Sequence, residues 1–282
     1  MSVNAAQIEF WNSDATRMWS ERHEPVDRMF AGLTARVLDQ VAPRPGERVL
    51  DIGCATGTTA MAIAERVAPD GDVLGIDIAE RSIARAGERI AASGLRNVRV
   101  ALADASAHPF APGSFELMFS RFGVMFFVDP VATFNHLRGA MAANGRFVAM
   151  AFRSAAENVW ASGPIAALRD VLPPDPAADP AAPGQFAWAS AERVQSIFRA
   201  AGWRETVLTP IDTTFTLAEP GDAAGAASRA LTVGPVARRA RELPEIERHR
   251  LVPLLENWFR EREGPDGVAL PAAIWLVRAT PS

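Results

Sequence analysis

Short apolar runs alternate with helical stretches through the middle of the chain. Arg48–Ile52, Asp72–Asp77, Asn97–Leu102, Phe115–Ser120 and Arg146–Phe152 are rich in aliphatic or aromatic residues and bounded by Gly, Asp or Pro. Their apolar positions are continuous rather than alternating, which predicts strands buried on both faces of a parallel sheet. Thr58–Val67, Glu80–Ser93 and Pro130–Met141 lie between them and read as helices. Strand–helix alternation of this length predicts a doubly wound α/β domain. Upstream, residues 5–20 and 25–41 read as two helices, the second carrying Val26, Met29, Phe30, Leu33, Val37, Leu38 and Val41 at helical spacing. Pro43, Pro45 and Gly46 end it. Beyond residue 152 the rhythm changes. A proline-rich stretch covers 173–184, an amphipathic helix 190–201 and an extended segment 204–217. An arginine-rich helical insertion is expected at 218–268, and a last strand at Ala272–Ala279.

Composition narrows the chemistry. All 29 basic residues among the 282 are arginine, and tyrosine is absent. Schiff-base, P-loop and amine-nucleophile chemistry therefore lack their lysine, and phenolic acid–base work lacks its donor. A single cysteine, Cys54, excludes an intrachain disulfide framework and a cysteine-based zinc site, and no metal is expected. The first nineteen residues lack a basic start followed by an apolar run, so no signal peptide is expected. No apolar run is long enough to span a bilayer, so no membrane association is expected. These features lean towards a reducing, cytoplasmic setting. A net charge of −4 disfavours nonspecific binding to nucleic acid.

The strongest local signal is VLDIGCATGTTA at 49–60. A buried strand ends in Asp51, passes through a turn of small residues and enters a helix. Small residues let a ligand approach the backbone, and the helix start offers free N–H groups. The acid two residues before Gly53, in the pattern Asp-x-Gly-x-x-x-Gly, would repel a phosphate and suits a cationic ligand. Asp77 ends the second strand, where a carboxylate can accept both hydroxyls of a ribose. Asp104 follows the third, placed for an exocyclic amine of adenine. Ligands of open α/β sheets bind beyond the strand C-termini, so the three acids converge there. Each acid could singly be a turn or cap residue. Three at successive strand ends together describe a ribose, an adenine and a nearby positive charge.

These segments resemble the class I S-adenosylmethionine-dependent methyltransferases over roughly residues 40–155. VLDIGCATG looks like the family's first motif, GIDIAE its second and ALADASAHPF its third. GSFELMFSRFGVMFFVDP and MAANGRFVAMAF look like the fourth strand with its loop and the fifth strand. The resemblance implies a Rossmann-like seven-stranded sheet, mostly parallel with an antiparallel last strand. It also implies an N-terminal helical lid at 1–42, a core at 43–155, a completing segment at 156–217, a helical cap at 218–268 and a final strand at 269–282. It implies S-adenosylmethionine as cofactor. Asp51, Gly53 and Gly57 would line its methionine part, and Ala55 and Thr58 would also contact the cofactor. Asp77 would hold the ribose, Ile78 would pack on adenine, and Asp104 and Ala105 would meet the adenine edge. Ser120 would sit beside the sulfonium. Ala55 stands where the family often has a glycine.

Trp11 and Trp19 in the lid, with Phe122, Phe126 and Trp160, are candidates for an apolar wall around sulfonium and acceptor, since aromatic faces favour cations. Each is equally read as core packing. Where an acceptor needs a base, His23, His108 and Glu9 form the menu, with His23 first. His23 also reads as a partly buried helix-end residue. Arg121 could orient a substrate carboxylate through a bidentate contact. The expected activity is methylation of a small molecule. Two alternatives stand beside it: intramolecular cyclisation of the cofactor releasing methylthioadenosine, and a catalytically idle cofactor-binding subunit. The acceptor and the oligomeric state are not readable from the sequence.

Overall fold

A computed structural model describes residues 3–21, 23–173, 179, 182–232, 234–241 and 243–281. Much of the proline-rich stretch expected at 173–184 lies outside the described residues. The chain forms two compact units. One comprises Met1–Phe152, Ala181–Ile211 and Trp275–Ser282; the other comprises Arg153–Pro180 and Asp212–Ile274.

The first unit opens with helices α1 (Ala5–Asn12), α2 (Arg17–Glu21) and α3 (His23–Val41). Then follow β1 (Arg48–Ile52), α4 (Thr58–Val67), β2 (Asp72–Asp77), α5 (Glu80–Ser93), β3 (Val98–Leu102), β4 (Phe115–Arg121), α6 (Pro130–Ala140) and β5 (Met141–Phe152). Helices α7 (Val159–Ala167) and α8 (Ala191–Ala200), strand β6 (Trp203–Ala218), and helices α9 (Ala223–Ala230), α10 (Pro235–Ala240) and α11 (Glu245–Arg260) come next. The chain ends in β7 (Glu263–Gly264) and β8 (Gly267–Pro281). The sheet order is β3-β2-β1-β4-β5-β8-β6, with β7 pairing β8. Strands β1 to β5 pair in parallel, and β7 with β8 antiparallel, so the sheet is mixed.

The α/β alternation follows the apolar pattern. Helix α4 buries Thr59, Ala60, Ile63, Ala64 and Val67, one face of a helix with small residues against β1 and β2. Asp129 caps α6 by accepting from the Ala132 N–H, and Pro130 sits at its first turn. Between α6, β5 and α8 the core is aromatic: the Phe134 and Phe198 rings lie 4.4 Å apart, and Trp203 donates its indole N–H to the Phe134 carbonyl at 2.9 Å.

The order of the strands places the reversal between β1 and β4. Crevices at such points are where open α/β sheets take ligands. The helix expected at 5–20 is broken in two. Ser13 is extended, its hydroxyl donating to the Phe10 carbonyl at 2.7 Å, while Thr16 donates to Trp11 at 2.7 Å. These hydroxyls take the carbonyls that a continuous helix would need. The two-residue strand β7 is the other addition, an eighth strand in a hairpin that its Gly-rich sequence does not announce.

In the second unit α7, α9, α10 and α11 surround a separate apolar core built on Leu168, Ala227, Leu255, Phe259 and Val268. Asn158 is wholly buried, and its amide both donates to and accepts from the Ala273 backbone at 3.0 Å. A side chain there takes the place of a neighbouring strand and satisfies backbone groups that would otherwise be stranded.

Candidate functional site

Strand β1 ends in a turn that brings backbone segments into unusually close approach. Gly53 adopts φ +69°, and a Cβ there would meet the Gly123 Cα at 3.0 Å. Only glycine fits both the dihedral and the space. Gly57, at φ +83°, ends the turn where α4 begins. Ala55 adopts φ +47°, a conformation that strains a residue with a Cβ. Its N–H is turned towards the second strand and donates to Asp77 Oδ2 at 2.9 Å. Ser120, wholly buried at the end of β4, donates to the Ile52 carbonyl at 2.8 Å and accepts from the Gly123 N–H. It ties the ends of β1 and β4 together.

Asp51 is fully buried. Its Oδ2 accepts from the Thr59 hydroxyl at 2.5 Å, and its Oδ1 has no hydrogen-bond partner among the described residues. Burial pushes its pKa up to about 7, against the pull of the Thr59 hydroxyl and the Arg121 charge. A buried carboxylate oxygen without a donor is costly unless a ligand supplies one. A carboxylate oxygen suits a cationic donor. Cys54 beside it is buried, and burial pushes its thiol pKa well up, which makes it a filler rather than a nucleophile.

Asp77 is handled differently. Its Oδ2 takes the Ala55 N–H and its Oδ1 the Ala79 N–H, both at 2.9 Å. Burial raises its pKa, and these backbone donors oppose the rise. Asp104 Oδ1 accepts from the Ser106 N–H and hydroxyl and from the Asn4 amide at 2.9 Å. Ala105 is buried beside it, and Ile78 is half-buried. Helix α1 bridges these loops by its ends. Asn4 reaches Asp104, Ser106 and the Val128 N–H, while Asn12 donates to the Ile78 carbonyl and accepts from the Glu80 N–H. No residue of α1 itself is fully buried; the polar contacts at its two ends and the packing of the Trp11 ring on Phe126 hold it there.

Asp27 of α3 gathers the remaining polar groups. Its Oδ1 accepts from the Thr58 hydroxyl at 2.7 Å and lies 3.7 Å from the Arg121 guanidinium. Its Oδ2 lies 3.1 Å from both Arg89 and His23 Nδ1. Arg89 also donates to the Thr56 carbonyl at 2.8 Å and to the Thr58 hydroxyl. His23 is buried with both ring nitrogens engaged, Nε2 accepting from Arg85 at 3.4 Å and Nδ1 facing Asp27. Arg121 donates to Thr34 and lies over the Phe30 ring. Burial lowers its pKa, and Asp27 and Asp51 oppose that.

The aromatics fall into groups. Trp11 packs edge-on against Phe126 at 5.1 Å and against Trp19 at 6.4 Å. Phe122, at φ +63°, stacks on Phe152 at 4.2 Å and meets Phe30 at 5.2 Å. Trp160 belongs to the second unit, where its indole N–H donates to Asn158 and its ring packs on Phe215. His108 stacks edge-on against Phe110. Sequence reasoning missed Asp27, Asn4, Asn12, Thr59 and Arg89. The spacing of His23 and Asp27, one helical turn apart, was the available signal for the first of these.

Among the described residues no group of three His, Cys, Asp or Glu is placed to hold a metal ion, and no helix is long and apolar enough to cross a membrane.

Comparison with known proteins places this geometry. Over 154 residues the chain is 34% identical to nocamycin O-methyltransferase of Saccharothrix syringae, covering 52% of this chain and 53% of that protein. It is 32% identical over 154 residues to aklanonic acid methyltransferase DauC of a Streptomyces species, covering 52% and 70%. The chain thus spans about half the length of the first of these relatives. Phosphoethanolamine N-methyltransferase 2 of Haemonchus contortus, solved in complex with S-adenosyl-L-methionine, shares the fold with a TM-score of 0.58. That likeness has 15% identity and covers 100% of this chain and 60% of that one. The methyltransferase domain family matches residues 43–197, more than half of the sequence, and the chain belongs to it.

Proposed function

We propose that this protein is an S-adenosylmethionine-dependent methyltransferase acting on a small molecule. The observation that carries the reading is the bare Oδ1 of Asp51, a fully buried carboxylate oxygen awaiting a cationic donor at the reversal of the sheet. The relatives support the acceptor class, being small-molecule methyltransferases. When bound, the cofactor supplies a methyl group already activated on its sulfonium.

This chain's residues have separable tasks. Asp51 would receive the cofactor's ammonium, and Gly53, Ala55 and Gly57 keep the turn thin enough for the backbone to approach it. Asp77 would receive ribose hydroxyls, with its orientation locked by the Ala55 and Ala79 N–H groups. Ile78, Asp104 and Ala105 would border the adenine, and Asn4 fixes the Asp104 carboxylate. Thr58 would act through the Asp27 carboxylate to which it donates, and Ser120 through the Ile52 carbonyl and Gly123 N–H that it ties together. Trp11 and Trp19 would close over the cofactor, while Phe122 and Phe126 are our candidates for the apolar side of the acceptor site. We assign His23 and Arg121 to positioning, because each is engaged by neighbouring side chains. The free, buried thiol of Cys54 fits a bacterial cytoplasm.

Incubation with S-adenosylmethionine and a panel of phenolic, enolic and amine acceptors, followed by mass spectrometry of the spent cofactor, tests the reading. S-adenosylhomocysteine with a methylated acceptor is expected. Methylthioadenosine would instead indicate cyclisation. Binding without turnover of any acceptor would indicate an idle subunit, and no cofactor binding would overturn the reading.

A further inference from the structure

Two carboxylates act on the half-buried guanidinium of Arg121. Arg121 projects from the end of β4 and feels both Asp27 and Asp51, each of which opposes the effect of its burial. Asp27 lies 3.7 Å away, and Thr34 and the Phe30 ring hold the guanidinium on that side. Asp51 is fully buried with an oxygen that makes no hydrogen bond. Asp51 pairs in register with Phe119, two residues before Arg121 on β4, and a carboxylate so placed would ordinarily pair with the guanidinium. Here it does not, and the group that takes its place is Asp27, from a helix outside the strand–turn–helix motif.

We infer that Asp27 is a positioning residue that neutralises Arg121 and holds it away from Asp51, so that the Asp51 Oδ1 stays open to the ammonium of the cofactor. The inference rests on the cofactor reading above. Asp27 is suited to the task because three further groups fix its carboxylate: Thr58 at the start of α4, Arg89 of α5 and His23 of its own helix. Arg89 in turn grips the turn through the Thr56 carbonyl. The placement of α3 is thereby coupled to the electrostatics of the β1 turn. Without the charge on Asp27, Arg121 has Asp51 as its remaining carboxylate partner. The ammonium then has to displace a guanidinium instead of entering an open position.

The test is calorimetric binding of S-adenosylhomocysteine, which carries the ammonium, and of methylthioadenosine, which lacks the whole amino-acid end. Asp27→Asn is expected to weaken S-adenosylhomocysteine by about tenfold and to change methylthioadenosine by less than about twofold. The ligand's carboxylate cannot cause this, because removing a nearby negative charge would tighten its binding. Adding Arg121→Gln to Asp27→Asn is expected to return S-adenosylhomocysteine to the affinity of the single Arg121→Gln variant, a coupling that a structural role would not produce. Equal losses for both ligands, unchanged S-adenosylhomocysteine affinity, or failure of the second substitution to restore binding overturns the inference. Should Asp27→Asn not fold, the comparison of Arg121→Gln with the double variant decides: equal affinities support it, and a further loss of about tenfold overturns it. A wild-type protein that binds neither ligand refutes the cofactor reading itself, a separate outcome.

Discussion

Asp51 and Asp77 stand at the ends of adjacent parallel strands and are surrounded differently. Asp77 accepts a backbone N–H on each oxygen, one from Ala55 and one from Ala79. Asp51 has the Thr59 hydroxyl on one oxygen and, among the described residues, no hydrogen-bond donor on the other. The region around Asp77 is a backbone template, reinforced by the Asn4 and Asn12 side chains that hold α1 across the neighbouring loops. The region around Asp51 is electrostatic, with Arg121, Asp27 and Arg89 arranged behind it. A carboxylate saturated by its own backbone shapes the turn. A carboxylate left with a bare oxygen in the interior is poised for a ligand, and it carries its desolvation cost until the ligand arrives.

The sharpest way to break this contrast is to remove each charge in turn. Asp51→Asn is expected to weaken S-adenosylhomocysteine by roughly a hundredfold, since the ammonium loses a buried ionic partner. The melting temperature near neutral pH should not fall, because the substitution removes a charge that burial penalises and keeps an acceptor for Thr59. Calorimetry and thermal melts check the two halves. Asp77→Asn should behave the other way. An amide has one acceptor oxygen, so one of the two backbone N–H groups loses its partner, and stability should drop by about 1–3 kcal/mol with about tenfold weaker binding. Smaller still is Asn12→Ala, which removes the contacts to Ile78 and Glu80. It should weaken binding by about threefold and increase proteolysis near α1, since each such bond contributes about 1 kcal/mol or less to holding the helix. If Asp51→Asn and Asp77→Asn lose stability and affinity in the same proportion, the two acids have the same role and the contrast fails.

The scaffold and the acids at the strand ends were legible in the sequence because buried strands and small-residue turns leave continuous local patterns. VLDIGCATG carries its strand, its turn and its helix start within a dozen residues. Asn4 and Asn12 were not legible, and Asp27 was legible only as an acid one helical turn from His23. Their importance comes from contacts with residues 31 to 124 positions away, and an amphipathic pattern says which face of α3 is buried without saying which polar residue meets the turn. The break at Ser13 was hidden for a related reason, since a hydroxyl that captures a carbonyl looks in sequence like any exposed serine. Ser120 and Thr58 were candidates by position, and their hydroxyls bond within the protein, to the Ile52 carbonyl and the Asp27 carboxylate, which a sequence does not distinguish from bonds to a ligand.

The pKa of Asp51 connects these points to a single observable. It is raised to about 7, above the ordinary carboxylate value. The folded protein without ligand therefore keeps a proton that the unfolded chain releases, and this contribution to stability is present at low pH and lost as pH rises through about 7. A cationic ligand favours the ionised form, so binding must drive the proton off below that pH. Calorimetry of S-adenosylhomocysteine binding at ~pH 6, repeated in buffers of different ionisation enthalpy, measures this directly. The account predicts release approaching one proton, affinity that rises towards pH 8, and loss of both effects in Asp51→Asn. Binding without proton release, with the same affinity on both sides of neutrality, would contradict it.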